Sequence, residues 1–137
     1  MLFRSAVRLT PNPPAVATLL ADFVEPAAAA AAVSAIIASG VVPAAIEMMD
    51  QRITQAVEAF VSAGYPTDAG AILLVEVDGL PGGVAAETDK VREICLASGA
   101  RSVRVAADDE ERMLLWKGRK TAFGAVDRKS TRLNSSH

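Results

Sequence analysis

The stretch ERMLLWKGRKTAFG, residues 111–124, places charged and aromatic side chains on one helical face. At ~100° per residue around a helix, Arg119 falls between Leu115 on one side and Trp116 and Phe123 on the other. Arg112, seven residues earlier, lies on nearly the same face, whereas Lys117 and Lys120 fall elsewhere. A permanently charged guanidinium inside an apolar stripe has two readings. It can extend to water or pair with a carboxylate of a neighbouring sheet. Alternatively, its planar fork can face a pocket and hold an anionic ligand's carboxylate by two parallel hydrogen bonds while aromatic rings exclude water. Spacing alone leaves both open.

Three other positions could carry chemistry. Glu76 and Asp78 stand at i, i+2 on one strand face, as paired carboxylates do in metal or acid–base sites. The same alternation describes the solvated face of a half-buried sheet, and that reading is preferred. Glu47, between PAAI and MMD, either points into a cavity or is the polar member of an alternating strand, with the strand reading preferred. Cys95, beside Ile94 on a helix's apolar face and with no base or cation near it in sequence, reads as a small core residue rather than a nucleophile.

The two ends of the chain are of another kind. DRKSTRLNSSH, from Asp127 onward, has no apolar period and resembles the in-frame translation of a common sequencing adapter; MLFRS resembles the same adapter read from its other strand. Residues 1–5 and 127–137 are therefore set aside from fold reasoning. Residues 6–126 are expected to be one incomplete domain, an internal fragment of a longer protein.

The whole chain has 14 Lys+Arg and 16 Asp+Glu. Without Arg4, Arg128, Lys129, Arg132 and Asp127, ten basic and fifteen acidic residues remain, a net charge near −5. That disfavours nucleic acid, whose binding rests on clustered cations. The single histidine, His137, lies in the adapter-like tail, so residues 6–126 contain no imidazole base or ligand, and most familiar catalytic constellations drop out. One cysteine permits neither an intrachain disulfide nor a multi-cysteine metal site, and no metal site is expected. A reducing, cytoplasmic setting fits this usage. The alanine run AAAAAAVSAIIASG is too short and too weakly apolar for a membrane span.

To position those side chains, the sequence offers an alternating layout. VATLLADF (16–23) reads as a strand, and Pro26 opens a helix with Val33, Ile36 and Ile37 on one face, ended by Gly40. VVPAAIEMM (41–49) returns as a strand, and Asp50 can cap a helix whose Ile53, Val57, Phe60 and Val61 recur at helical spacing. AILLVEVDG (71–79) is the clearest strand, with Leu73, Val75 and Val77 on one face. Val84, Val91, Ile94 and Cys95 form a third helical stripe before Gly99. RSVRVA is a fourth strand, and Asp108 and Glu111 stand at capping-box spacing ahead of a last helix.

Two architectures suit β-α-β-α-β-α-β-α: a parallel doubly wound sheet, or two βαβ units forming an antiparallel sheet with helices on one face. No Gly-rich phosphate fingerprint follows any strand. The α+β, ferredoxin-like arrangement is therefore favoured. The helix from residue 50 to 63 is its awkward element, being longer than a strand-to-strand connection needs.

VPAAIEMMD, AVEAFVSAGYPTDAGAILLVEVDG, VREICLASGA and ERMLLWKGRKTAFGA together resemble the C-terminal substrate (cap) domain of FAD-linked oxidases. Within that family they are most like the FAD-binding subunits of bacterial glycolate oxidases, with D-lactate and D-2-hydroxyglutarate dehydrogenases as relatives. The resemblance implies a cap on a ferredoxin-like sheet, covering a flavin held by a separate N-terminal domain. In the family's LW-x-x-R pattern the arginine binds the substrate carboxylate; here that pattern is Leu115, Trp116 and Arg119, with Arg112 as a neighbour. Orientation of a 2-hydroxy acid over FAD would be this segment's contribution.

The flavin-binding domain and a downstream H-x-G-D-G-N-x-H-type block that supplies the base are absent. The chain alone is accordingly expected to be inactive. The parent would act with the possible partner subunits of a glycolate oxidase complex, in the cytoplasm or peripherally at the inner membrane. The other reading is a non-catalytic ferredoxin-like regulatory or ligand-binding module.

Overall fold

A computed structural model describes residues 15–118. The elements run β1 (Ala15–Phe23), α1 (Pro26–Ala38), β2 (Ala45–Asp50), α2 (Gln51–Val61), β3 (Ala71–Gly79), α3 (Pro81–Ala97) and β4 (Ala100–Val105), and residues 109–118 are helical as α4. The strands form one sheet in the order β2-β3-β1-β4, and every neighbouring pair is antiparallel. β1-α1-β2 and β3-α3-β4 are thus two split βαβ units, the expected α+β, ferredoxin-like topology.

β1 and β3 lie in the middle, where both faces are covered. Residues Thr18–Phe23 and Ala71–Val75 are accordingly buried without interruption, and this accounts for strands that read as near-continuous apolar runs. On one face Leu19, Ala21, Phe23, Leu73, Val75 and Val77 meet α1 and α3. α1 presents Ala29, Ala32 and Ile36 to the sheet. Ile37, expected on that stripe, is 60% exposed, because it lies ~100° around the helix from Ile36. α3 presents Val84, Thr88, Val91 and Cys95, and Ile94 packs at the margin.

The other face differs from the expectation of helices on one side only. Leu20, Ile72, Leu74 and Met49 pack under Val57 of α2 and Leu115 of α4, with Tyr65 and Ala69 closing the gap between them. α2 is therefore a second lid on the sheet, which explains its length. Asp50 caps it as expected, accepting from Ile53 N at 2.9 Å. Phe60, assigned to the apolar face, is instead 75% exposed. β2 begins at Ala45 rather than Val41; Pro43 has no N–H to donate to a ladder, and Val41 is buried in the connection ahead of the strand.

The β1–β4 register shifts between Asp22 and Phe23. There the buried Asp22 carboxylate accepts from Arg101 Nε (2.8 Å) and Ser102 Oγ (2.6 Å). Arg101 continues to both oxygens of Asp68 at 3.1 Å, and its hydrogen bonds and charge hold that carboxyl below the usual aspartate range. A buried charge meeting this many donors is a structural clamp on the sheet end.

Candidate functional site

α4 owes its position to its first turn. Asp108 Oδ1 accepts from Glu111 N at 2.9 Å, and Glu111 Oε1 reaches back to Ala107 N at 2.7 Å. This is a capping box displaced by one residue at its return bond. Glu111 also meets Arg104 of β4, Oε2 to Nε at 3.2 Å. With the start fixed, Arg112, Leu115 and Trp116, at i, i+3 and i+4, turn toward the sheet.

Leu115 is completely buried in the second-face core. Its carbonyl accepts from the Tyr65 hydroxyl. Burial, reinforced by the nearby Glu58 carboxylate, pushes that phenol up to about 12. Gly118 permits the contact, since a Cβ there would lie 2.0 Å from the Tyr65 oxygen. Tyr65 in turn is set by Glu58, whose Oε1 accepts from Tyr65 N at 3.0 Å.

Beside this anchor a line of polar side chains crosses from α4 to the sheet. Thr18 and Glu76 are direct register partners on β1 and β3. The Thr18 hydroxyl donates to Glu76 Oε2 (3.0 Å) and accepts from the Trp116 indole N–H (3.2 Å). Arg112 Nη1 donates to the same Glu76 oxygen at 3.2 Å. Thr18 is fully buried, so its hydroxyl has a determined orientation: carboxylate oxygens only accept and the indole only donates. Arg112 also meets Asp109 more loosely, at 3.5 Å.

A hollow of ≈ 550 Å³ opens along this line, walled by Glu76, Arg112, Trp116, Met113, Lys117 and their neighbours on α4. A second, of ≈ 420 Å³, is lined by Thr18, Asp108, Asp109 and Arg112 among others. The first recess is shallow and largely apolar, and its charged wall residues are two cations, Arg112 and Lys117, and two carboxylates, Glu76 and Glu110, beside the Trp116 ring.

The structure thus brings Arg112 and Trp116 together at one recess. Arg119 and Phe123 lie outside the described residues. Glu76 and Asp78 do not act as a pair, for Asp78 is exposed while Glu76 is mostly buried and engaged by Thr18 and Arg112. The solvated-face reading of Glu76 is therefore corrected: α4 covers that part of the sheet. Glu47 is half-buried on edge strand β2, beside a recess lined by Ala30, Val33, Ile46 and Met48. Cys95 is a buried core residue whose thiol burial pushes up to about 11. Among the described residues no group of His, Cys, Asp and Glu is placed to hold a metal ion. Thr18 and Tyr65 carry the site's framework and were not singled out from sequence. A lone threonine in an apolar strand was a usable signal for Thr18; nothing local marked Tyr65.

Against known proteins, the chain is 48% identical over 122 residues to glycolate oxidase subunit GlcD of Escherichia coli (strain K12), covering 89% of this chain and 24% of that protein. It is 38% identical over 122 residues to glycolate oxidase subunit GlcD of Bacillus subtilis (strain 168), covering 89% of this chain and 26% of that protein. The chain therefore spans about a quarter of the length of these curated relatives. Among solved structures, alkyldihydroxyacetonephosphate synthase superposes with a TM-score of 0.53 at 22% identity, over 66% of this chain and 19% of that one, a likeness of fold. Residues 12–134 match the family described as FAD linked oxidases, C-terminal domain, and the chain belongs to that family.

Proposed function

We propose that the full-length protein is a flavin-dependent 2-hydroxy-acid oxidoreductase acting on glycolate or D-lactate, and that this chain is its substrate-side cap. Family membership carries the reading, and the recess beside α4, with Arg112 and Trp116 on its wall, supports it. The start of α1 does not suit the FAD diphosphate, because the helix is entered through Glu25 and Pro26, whereas a diphosphate needs free N–H donors and no carboxylate at a helix start. The cofactor would be held by residues of the full-length protein outside this chain.

What the chain contributes is orientation. Arg119, three residues after Trp116, holds the substrate carboxylate with its planar fork, Trp116 walls the recess, and Arg112 stands beside it. Fixing a small acid by its carboxylate directs its C2–H and its hydroxyl, and such positioning is worth several orders of magnitude in rate. Partner subunits of an oxidase complex and a cytoplasmic or peripheral inner-membrane location belong to the same reading. Among the described residues no helix is long and apolar enough to cross a membrane. Family membership favours this function over a non-catalytic ligand-binding module.

The test is anaerobic addition of glycolate or D-lactate to the full-length protein, which should bleach the flavin absorbance. Arg119→Met should lower kcat/KM by roughly 10²-fold or more. An undiminished rate at low substrate refutes the clamp.

A further inference from the structure

We propose that Thr18 is a positioning residue for the substrate recess: its hydroxyl fixes the orientation of the Trp116 indole on the recess wall. The inference rests on the preceding reading, in which the recess beside α4 takes the small acid.

Trp116 lines the recess together with Met113 and Leu114. An indole has one donor and no acceptor, and the Trp116 N–H donates to Thr18 Oγ1 at 3.2 Å. Turning the ring over takes that N–H away from its acceptor. The acceptor is itself fixed. Thr18 is fully buried, its β-branch restricts χ1, and its hydroxyl proton is committed to Glu76 Oε2 at 3.0 Å. Its backbone lies inside the sheet, in register with Glu76 on β3, and its carbonyl accepts from Ala106 N at 2.9 Å. The ring is thereby referenced to a central strand 98 positions away in sequence. Side chains that shape a binding site keep their geometry when rigid elements and locked partners hold them. A ring free to turn no longer offers the acid a fixed apolar surface, and the loss falls on binding.

Charge does not enter this role. The four charged residues of the wall are Glu76, Glu110, Arg112 and Lys117, and Arg112 donates to the same Glu76 oxygen as Thr18, at 3.2 Å. Replacing Thr18 or Trp116 by another uncharged residue leaves all four charges on the wall, so a change in substrate binding reports the ring. Thr18 acts through Trp116 and does not touch the reacting atoms.

The experiment uses the full-length flavoprotein, with KM, kcat per bound flavin and flavin content measured for glycolate and D-lactate. Thr18→Val removes the hydroxyl at constant shape and should raise KM roughly fivefold or more with kcat little changed. Thr18→Ser keeps the hydroxyl and should hold KM within about twofold of wild type. Trp116→Phe keeps an aromatic wall without a donor and should raise KM by a similar factor to valine. The double variant T18V/W116F should be no worse than W116F, because both substitutions remove the same bond. A merely structural role for Thr18 would lower the active fraction with KM unmoved, and its effect would add to that of W116F. Should T18V bind no flavin, Thr18→Cys, a weaker donor and acceptor, takes its place and should raise KM above the serine value. An unmoved KM in the valine or cysteine variant, a serine variant raised as far as valine, or an additive double variant overturns the proposal. Failure of the underlying reading shows separately, as wild-type flavin that neither acid bleaches without oxygen.

Discussion

Replacing Thr18 by valine tests whether the polar line from α4 to the sheet contributes to stability. Valine matches threonine in shape, so no cavity opens at this fully buried position, and only the hydroxyl is lost. That hydroxyl makes one hydrogen bond to a carboxylate at 3.0 Å and one from an indole at 3.2 Å. A bond to a charged group contributes about 1.5–3 kcal/mol and a neutral one about 0.5–1.5 kcal/mol. Glu76 keeps Arg112 as a partner, and water reaches the half-buried Glu76 and Trp116 edges, so part of the loss is recovered. A net destabilisation of about 2 kcal/mol remains. With a urea m-value of ~1–2 kcal/mol/M for a domain of this size, the unfolding midpoint falls by ~1–2 M. The sole tryptophan, Trp116, reports the transition and sits at the substituted contact. Thr18→Ser, which keeps the hydroxyl and removes only a methyl, should cost about 1 kcal/mol. A valine variant within about 0.5 kcal/mol of the parent, or a serine variant equally destabilised, would show that packing rather than hydrogen bonding holds α4 here.

Two more outcomes follow from the Tyr65 anchor. Gly118→Ala sets a methyl 2.0 Å from the phenol oxygen of a buried ring, so α4 or Tyr65 must shift, at a cost of about 1–3 kcal/mol in urea unfolding; an unaffected midpoint would refute the close approach. The Tyr65 phenol keeps its proton up to about 12 in the fold but loses it near the ordinary tyrosine value of 10.0 when unfolded. Between those values the unfolded chain binds fewer protons, so stability declines as pH rises through this window. Tyr65→Phe should cost about 1 kcal/mol at neutral pH through loss of the bond to Leu115 and should show less of that alkaline decline. Parallel stability curves for the two proteins from pH ~9.5 to ~11.5 would count against it.

Local patterns made much of this protein legible. The Asp50 and Asp108 caps, the α3 stripe and the AILLVEVDG strand are written in stretches where the periodicity of backbone geometry suffices. The LW-x-x-R pattern with its companion blocks was enough to indicate the family. Ile37 and Phe60 misled because an apolar residue beside a stripe reads much like one within it. The paired lids over the sheet were not readable, since a strand buried on both faces and one buried on a single face differ in what packs above them. Nor was the bond between Thr18 and Glu76, whose positions are 58 residues apart; a one-residue slip in the pairing of β1 with β3 would send those side chains to opposite faces. Short-range order follows from rotamers, caps and turn chemistry along a few residues of chain. The recess under α4 arises only once distant segments have paid the entropy of meeting in one register, so its charges and their partners belong to the assembled sheet.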